Sequence, residues 1–148
     1  MNPPGRTAPH PDARVRRVVD YFETLSPTSL PRLAELYASD ARFVDPFNDV
    51  QGTVAIERIF NHMFTQVQQP RFVVLSAEAQ DATAFLTWDF LFLRGTQAHR
   101  IHGASRLLFN AQDQVQLHRD YWDAAHELYE HLPVLGALMR WLRRRLAA

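Results

Sequence analysis

The stretch Tyr37-Ala38-Ser39-Asp40-Ala41-Arg42-Phe43-Val44-Asp45-Pro46-Phe47 decides how this chain is read. Leu30, Leu33, Leu36 and Tyr37 recur at helical spacing, so a helix that opens at Thr28 or Ser29, with Pro31 in its first turn, ends here. Ala41 to Val44 then reads as a short strand, and Asp45-Pro46 stops it with turn chemistry. Upstream, Val15, Val18, Val19, Phe22 and Leu25 mark the buried face of a first helix that Ser26-Pro27 ends. Downstream, a third helix starts near Thr53 and sets Ile56, Ile59, Phe60, Met63, Phe64 and Val67 on one stripe. From Arg71 onward the residues are strand-like, with breaks at Gln80-Asp81, Gly95-Thr96 and Asn110 to Gln114, which predicts four strands on tight connections ending at Tyr121-Trp122. Helix, helix, short strand, helix, then four strands is an α+β order, with a strongly curved, mainly antiparallel sheet wrapped on three N-terminal helices.

At 148 residues, 47% of them hydrophobic, the chain reads as a single domain spanning 1–148. Residues 1–11 are proline-rich and lack the apolar centre of a signal peptide, so they read as a disordered leader, and residues 124–148 read as a C-terminal helical extension. Sixteen acidic side chains balance sixteen arginines, and there is no lysine, so no global field draws the protein to nucleic acid. The absence of cysteine excludes a disulfide framework, a thiolate metal site and a thiol nucleophile, and fits a cytoplasmic location. No run of about eighteen apolar residues is present to span a membrane.

Tyr37 to Phe47, Gly52, the run Ile56 to Phe64 and the ending Phe109 to Trp122 resemble the ketosteroid isomerase and SnoaL-like branch of the nuclear transport factor 2-like fold, over roughly residues 12 to 125. The resemblance implies a conical cavity that takes a small apolar ligand, polycyclic, terpenoid or polyketide-like, without a cofactor. It also implies a homodimer formed through the exposed sheet. In the resembled isomerases a carboxylate base sits where Asp45 stands, and a tyrosine at the offset of Tyr21, sixteen residues before Tyr37, donates to the developing enolate. Ser105 stands where the family keeps a protonated aspartic acid. The resemblance implies that Tyr37, Phe47, Phe60, Met63, Trp88, Ser105 and Trp122 line the cone, although it leaves open which face of strand 85–93 points inward.

Physical chemistry offers two readings of Asp45. Beside Phe43, Phe47 and Phe60 its carboxylate would be desolvated, which raises a carboxyl pKa toward a useful value for a base. Alternatively, Asp-Pro is ordinary turn chemistry and the carboxylate accepts local backbone amides. The last strand supplies a second constellation. His118, Asp120 and Trp122 fall at period two and share one face, with Arg119, Tyr121 and Asp123 on the other. His118 and Asp120 can act as a base and its orienting partner or as a water-activating set, or Asp120 can pair with Arg106 while His118 fills the core.

Metal motifs fail on geometry. His126 and His131 are five residues apart, about 140° around a helix, and His99 and His102 fall on opposite faces of a strand. No metal or cofactor is expected. The segment from Ala124 reads as two helices broken at Pro133, the second with Val134, Leu135, Leu138, Met139, Trp141, Leu142 and Leu146 on one side and Arg140, Arg143 and Arg144 opposite. Such a helix packs on the sheet or a dimer contact, or gives 134–146 a weak contact with a membrane surface or protein. Three classes of function follow: an enzyme doing isomerase, cyclase or hydrolase-type acid–base chemistry, a non-catalytic ligand carrier or sensor, and an interaction module acting through the terminal helix.

Overall fold

Asp12 opens the first helix by accepting a hydrogen bond from the backbone N–H of Arg14, at 2.9 Å. Helix α1 runs Ala13–Glu23 and buries Val15, Val18 and Phe22, positions three and four apart that a 3.6-residue period places on one side. The computed structural model describes residues 9–127 and 133–147, with side chains left out at 133–136 and 139. Most of the predicted leader, the segment 128–132 with His131, and the side chains of Val134, Leu135 and Met139 lie outside the described residues.

The predicted second helix is shorter than its apolar spacing suggests. A 3-10 turn, Leu30–Arg32, leads into one helical turn, α2, Leu33–Leu36, and Tyr37 already belongs to strand β1, Tyr37–Val44. The strand begins four residues earlier than expected because its partner is remote. Tyr37 pairs with Val115 of strand β6, Val115–Tyr121, and Phe43 with His118, in parallel register. A three-residue strand, β2, Asp49–Gln51, returns antiparallel on β1 and was not predicted, being too short to carry a period. Helix α3, Thr53–Gln66, buries Ile56 and Phe60, and Val67 lies past its end in extended conformation rather than on the predicted stripe.

Strands β3, Gln68–Gln80, β4, Thr83–Arg94, and β5, Gln97–Phe109, complete the sheet in the order β2-β1-β6-β5-β4-β3. Only the β1–β6 seam is parallel. The breaks fall where the turn residues place them, and Asp81 and Asp113 take the left-handed conformation there, as does Gly95. Register shifts in β3, near Gln69 and Leu75, and at Phe109 bend the sheet. Along β4 the even positions Ala84, Leu86, Trp88, Phe90 and Phe92 are buried, and along β5 the odd positions Ile101 to Phe109. This settles which face of 85–93 points inward. That face packs with α1, α2 and α3 into one core, in which each large apolar side chain contributes roughly 1.5–3 kcal/mol. Two helices follow β6, α4, Ala124–Glu127, and α5, Pro133–Leu146, the latter opening on the proline predicted to divide them.

Candidate functional site

The strand pairing brings five polar side chains into one line on the inner face. His118 stands opposite Leu107 on one side and Phe43 on the other, and Asp120 stands opposite Ser105, which is opposite Leu86. His118 Nε2 lies 2.6 Å from Asp120 Oδ1, and its Nδ1 lies 2.5 Å from the hydroxyl of Tyr37. Ser105 donates to the same Asp120 Oδ1 at 2.5 Å, and Trp88 donates through Nε1 to Ser105 Oγ at 2.8 Å.

Counting protons fixes the direction of the chain. An ionised Asp120 can only accept, so His118 donates from Nε2 and leaves Nδ1 as an acceptor for the O–H of Tyr37. Every donor in this hydrogen-bond chain then has an acceptor. Both bonds to Asp120 fall on Oδ1, and among the described residues Oδ2 takes no protein hydrogen bond. The His118 side chain is 6% exposed and that of Asp120 16%. Rings of Phe22, Phe43 and Tyr37 surround the imidazole with centroids 5.6, 4.8 and 6.0 Å away. Burial, and then the charge of Asp120, holds the Tyr37 hydroxyl well above the ordinary phenol range, so it stays a donor.

Above this line lies a cavity of about 30 Å³, floored by Ser105, His118 and Asp120 and walled by Phe22, Phe60, Phe72, Val74, Leu86 and Trp88. It has room for a water molecule, which needs roughly 10–15 Å³. A second, open cleft of about 610 Å³ is lined mainly by apolar side chains, including Leu25, Met63, Phe64 and Phe92, with Arg71 and His99 among the polar ones. Phe22 and Phe72 belong to both linings. Their rings meet edge to face at 5.9 Å, so this pair forms the partition between cleft and cavity.

The sequence-predicted residues divide among these places. Trp88, Ser105, His118, Asp120 and Phe60 border the cavity, Tyr37 stands behind His118, and Met63 lines the cleft instead. Asp45 borders neither. Its Oδ1 accepts from the backbone N–H of Phe47 at 2.8 Å and of Asn48 at 2.7 Å, and Asn48 Nδ2 reaches both carboxylate oxygens, which is the turn arrangement. Phe47 is exposed and packs edge-on to Trp122, so these two lie outside the cavity lining. Tyr21 donates to the carbonyl of Ser29 at 3.1 Å, with its pKa pushed up to about 12 by burial and next by Glu57. Arg106 faces outward opposite Arg119 and does not pair with Asp120. Sequence reasoning missed Phe22 and Phe72 as site residues, although the inward stripe of α1 contains the first. Among the described residues no three His, Asp or Glu side chains converge as a metal site, and no helix there is long and apolar enough to cross a membrane.

Solved structures share the architecture at low identity. A hypothetical protein with a ketosteroid isomerase-like fold from Catenulispora acidiphila, in complex with trimethylamine, superposes with a TM-score of 0.66 at 14% identity, covering 78% of this chain and 89% of that one. A candidate SnoaL-like polyketide cyclase from Jannaschia sp. CCS1 gives 0.66 at 13% identity, covering 76% and 85%. An LEH-like epoxide hydrolase from M. tuberculosis gives 0.63 at 12% identity, covering 91% and 94%. No curated protein matches the sequence. The fold is therefore the nuclear transport factor 2-like cone. The model of the SnoaL-like domain matches residues 18–118, and the chain belongs to that family.

Proposed function

We propose that the protein binds a small, largely apolar molecule in the cone and transfers a proton on it, with Asp120 as the base. The observation that carries this reading is the division of the Asp120 carboxylate. Oδ1 is held by His118 and Ser105, which leaves Oδ2 to accept a proton at the cavity. Deprotonation next to a substrate carbonyl would move the proton to Oδ2, and the neutral acid could return it to another carbon, as isomerisation or cyclisation requires. Ser105 and His118 hold the carboxylate in one orientation throughout. The ligand reaches Asp120 from the 610 Å³ cleft once the Phe22 and Phe72 rings turn aside, since the inner cavity by itself is too small for one. Asp45 shapes the turn in this reading and is no base.

A hydrolytic variant is favoured by one observation, the space for a single water beside Asp120. The similarity to an LEH-like epoxide hydrolase supports keeping epoxides among the test compounds. Exposed Leu75, Phe85 and Tyr121 on β3, β4 and β6 form the surface we assign to a second copy of the chain.

Wild type, Asp120→Asn and Asp45→Asn should be screened by thermal shift and turnover against steroids, polycyclic ketones and terpene epoxides. A ligand at a hundred times its Kd stabilises by about 2.7 kcal/mol. Asp120→Asn should keep that binding and lose turnover by roughly a hundredfold or more, while Asp45→Asn keeps both. Loss of turnover in Asp45→Asn alone would return the base role to the turn. Binding by all three proteins with no compound consumed would make the protein a carrier.

A further inference from the structure

Helix α5 is built unlike the rest of the chain. The sequence after Glu130 contains Arg140, Arg143, Arg144 and Arg145 and no acidic side chain, so a molecule with balanced charge ends in a segment of +4. Every described side chain from Ala137 to Ala147 along this helix and its end is exposed. Trp141 is 48% exposed and Leu146 82%, and Leu138 and Leu142 are exposed with them. At 100° per residue, Leu138, Trp141, Leu142 and Leu146 lie within one side of the helix, and Arg140, Arg143 and Arg144 lie on the other. Arg145 falls among the apolar residues, and its guanidinium sits 5.4 Å from the centre of the Trp141 ring, where its charge is carried over an apolar surface. The last turn of the helix meets α4. Arg143 Nη1 lies 2.8 Å from His126 Nδ1.

An apolar side carrying tryptophan, flanked by arginine alone, is complementary to a surface that is hydrocarbon beneath and anionic above. We propose that α5 lies on an anionic lipid bilayer, with Trp141, Leu138, Leu142 and Leu146 among the acyl chains and the arginines at the phosphate level. Fourteen residues at 1.5 Å each give about 21 Å, too short to span the roughly 30 Å of hydrocarbon, so the helix binds in the plane of the interface. α5 itself carries no acidic side chain, so the helix adds no like-charge repulsion of its own at such a surface. The arginines supply both affinity and a preference for anionic lipid.

The test uses the full chain with vesicles of phosphatidylcholine alone and vesicles containing phosphatidylserine, read by co-sedimentation. Binding should appear on the anionic vesicles and fall about fivefold for each arginine replaced by glutamine at 140 and 144. It should fall as strongly in Leu138→Ser with Leu142→Ser, and half-molar salt should release the protein by screening. Circular dichroism and thermal melting of the variants should match wild type, since the substituted residues are exposed. Equal binding to both vesicle types, no binding to either, or binding that survives both sets of substitutions would overturn the proposal. So would loss of a dimer in the leucine variant with no vesicle binding in wild type, which would assign the apolar side to a second copy.

Discussion

The rings of Tyr37 and His118 lie in nearly parallel planes, 2° apart, and are joined through the tyrosine hydroxyl and Nδ1 across a separation of 81 residues in sequence. The tyrosine therefore fixes which imidazole nitrogen carries the proton and turns that proton toward Asp120.

Tyr37→Phe should leave Nδ1 of His118 buried without its donor and cost about 1–3 kcal/mol in a urea titration. The same phenol shapes the alkaline limb, together with Tyr21. Unfolded tyrosines ionise near 10.0, whereas burial holds Tyr21 at about 12 and Tyr37 well above its usual range in the folded chain. The contribution of Tyr21 is fully present below pH 10 and is lost as pH rises toward 12, and that of Tyr37 falls in the same direction, because the unfolded state gives up its protons first. Tyr21→Phe should flatten stability between pH 10 and 12. An unchanged slope would show that other groups set the limb.

Gly103 admits the indole of Trp88. A Cβ built on it would clash with the six-membered ring of that indole, 2.6 Å from Cζ2. Gly103→Ala should push the indole aside, break the Trp88–Ser105 hydrogen bond and cost about 1–3 kcal/mol as overpacking. Tryptophan fluorescence and the melting curve should shift together. A variant that melts like wild type would mean that the β4–β5 pair can part without cost.

The partition between cleft and cavity rests on Phe22 and Phe72. Phe72, the less buried of the two, can be shortened with less loss to the core. Phe72→Ala should join the two spaces, so the folded variant should take up an apolar fluorescent dye more tightly than wild type. Identical dye titrations would place the way in elsewhere.

Asp12→Ala should remove the α1 cap and cost about 0.5–2 kcal/mol. The hydrogen bond from Arg14, with further help from its charge, holds the Asp12 carboxyl at about 2 against an ordinary 3.8. That stabilisation is present above pH 3.8 and is lost as pH falls toward 2. Wild type should therefore lose more stability than the variant across this window in parallel acid titrations.

Much of this was legible from spacing. The stripe of α3, the three turns of the long strands and the shared face of His118 and Asp120 follow from periods of 3.6 and 2, which are local properties. The early start of β1 was not legible, because Tyr37 to Asp40 enter the strand to meet β6 at the far end of the sequence. Asp45 carries the turn chemistry that Asp-Pro announced. Asn48, three residues on, supplies two further donors to the carboxylate, and that residue was the signal that a turn would hold it. Ser105 was placed by resemblance, but its link from Trp88 to Asp120 depends on register, which a single strand does not encode.

The parallel seam between β1 and β6 has a kinetic consequence. Every other strand pair joins neighbours in sequence and can close as a hairpin, while Tyr37 and His118 meet only across most of the domain. Closing so large a loop before its contacts form costs chain entropy, and pairings of this separation are slow to gain. The line from Tyr37 through His118 to Asp120 should therefore be completed only when the two ends of the fold have docked. In refolding, any activity would then lag behind helix and hairpin formation, so regain of turnover would report the fully assembled molecule and no partial one.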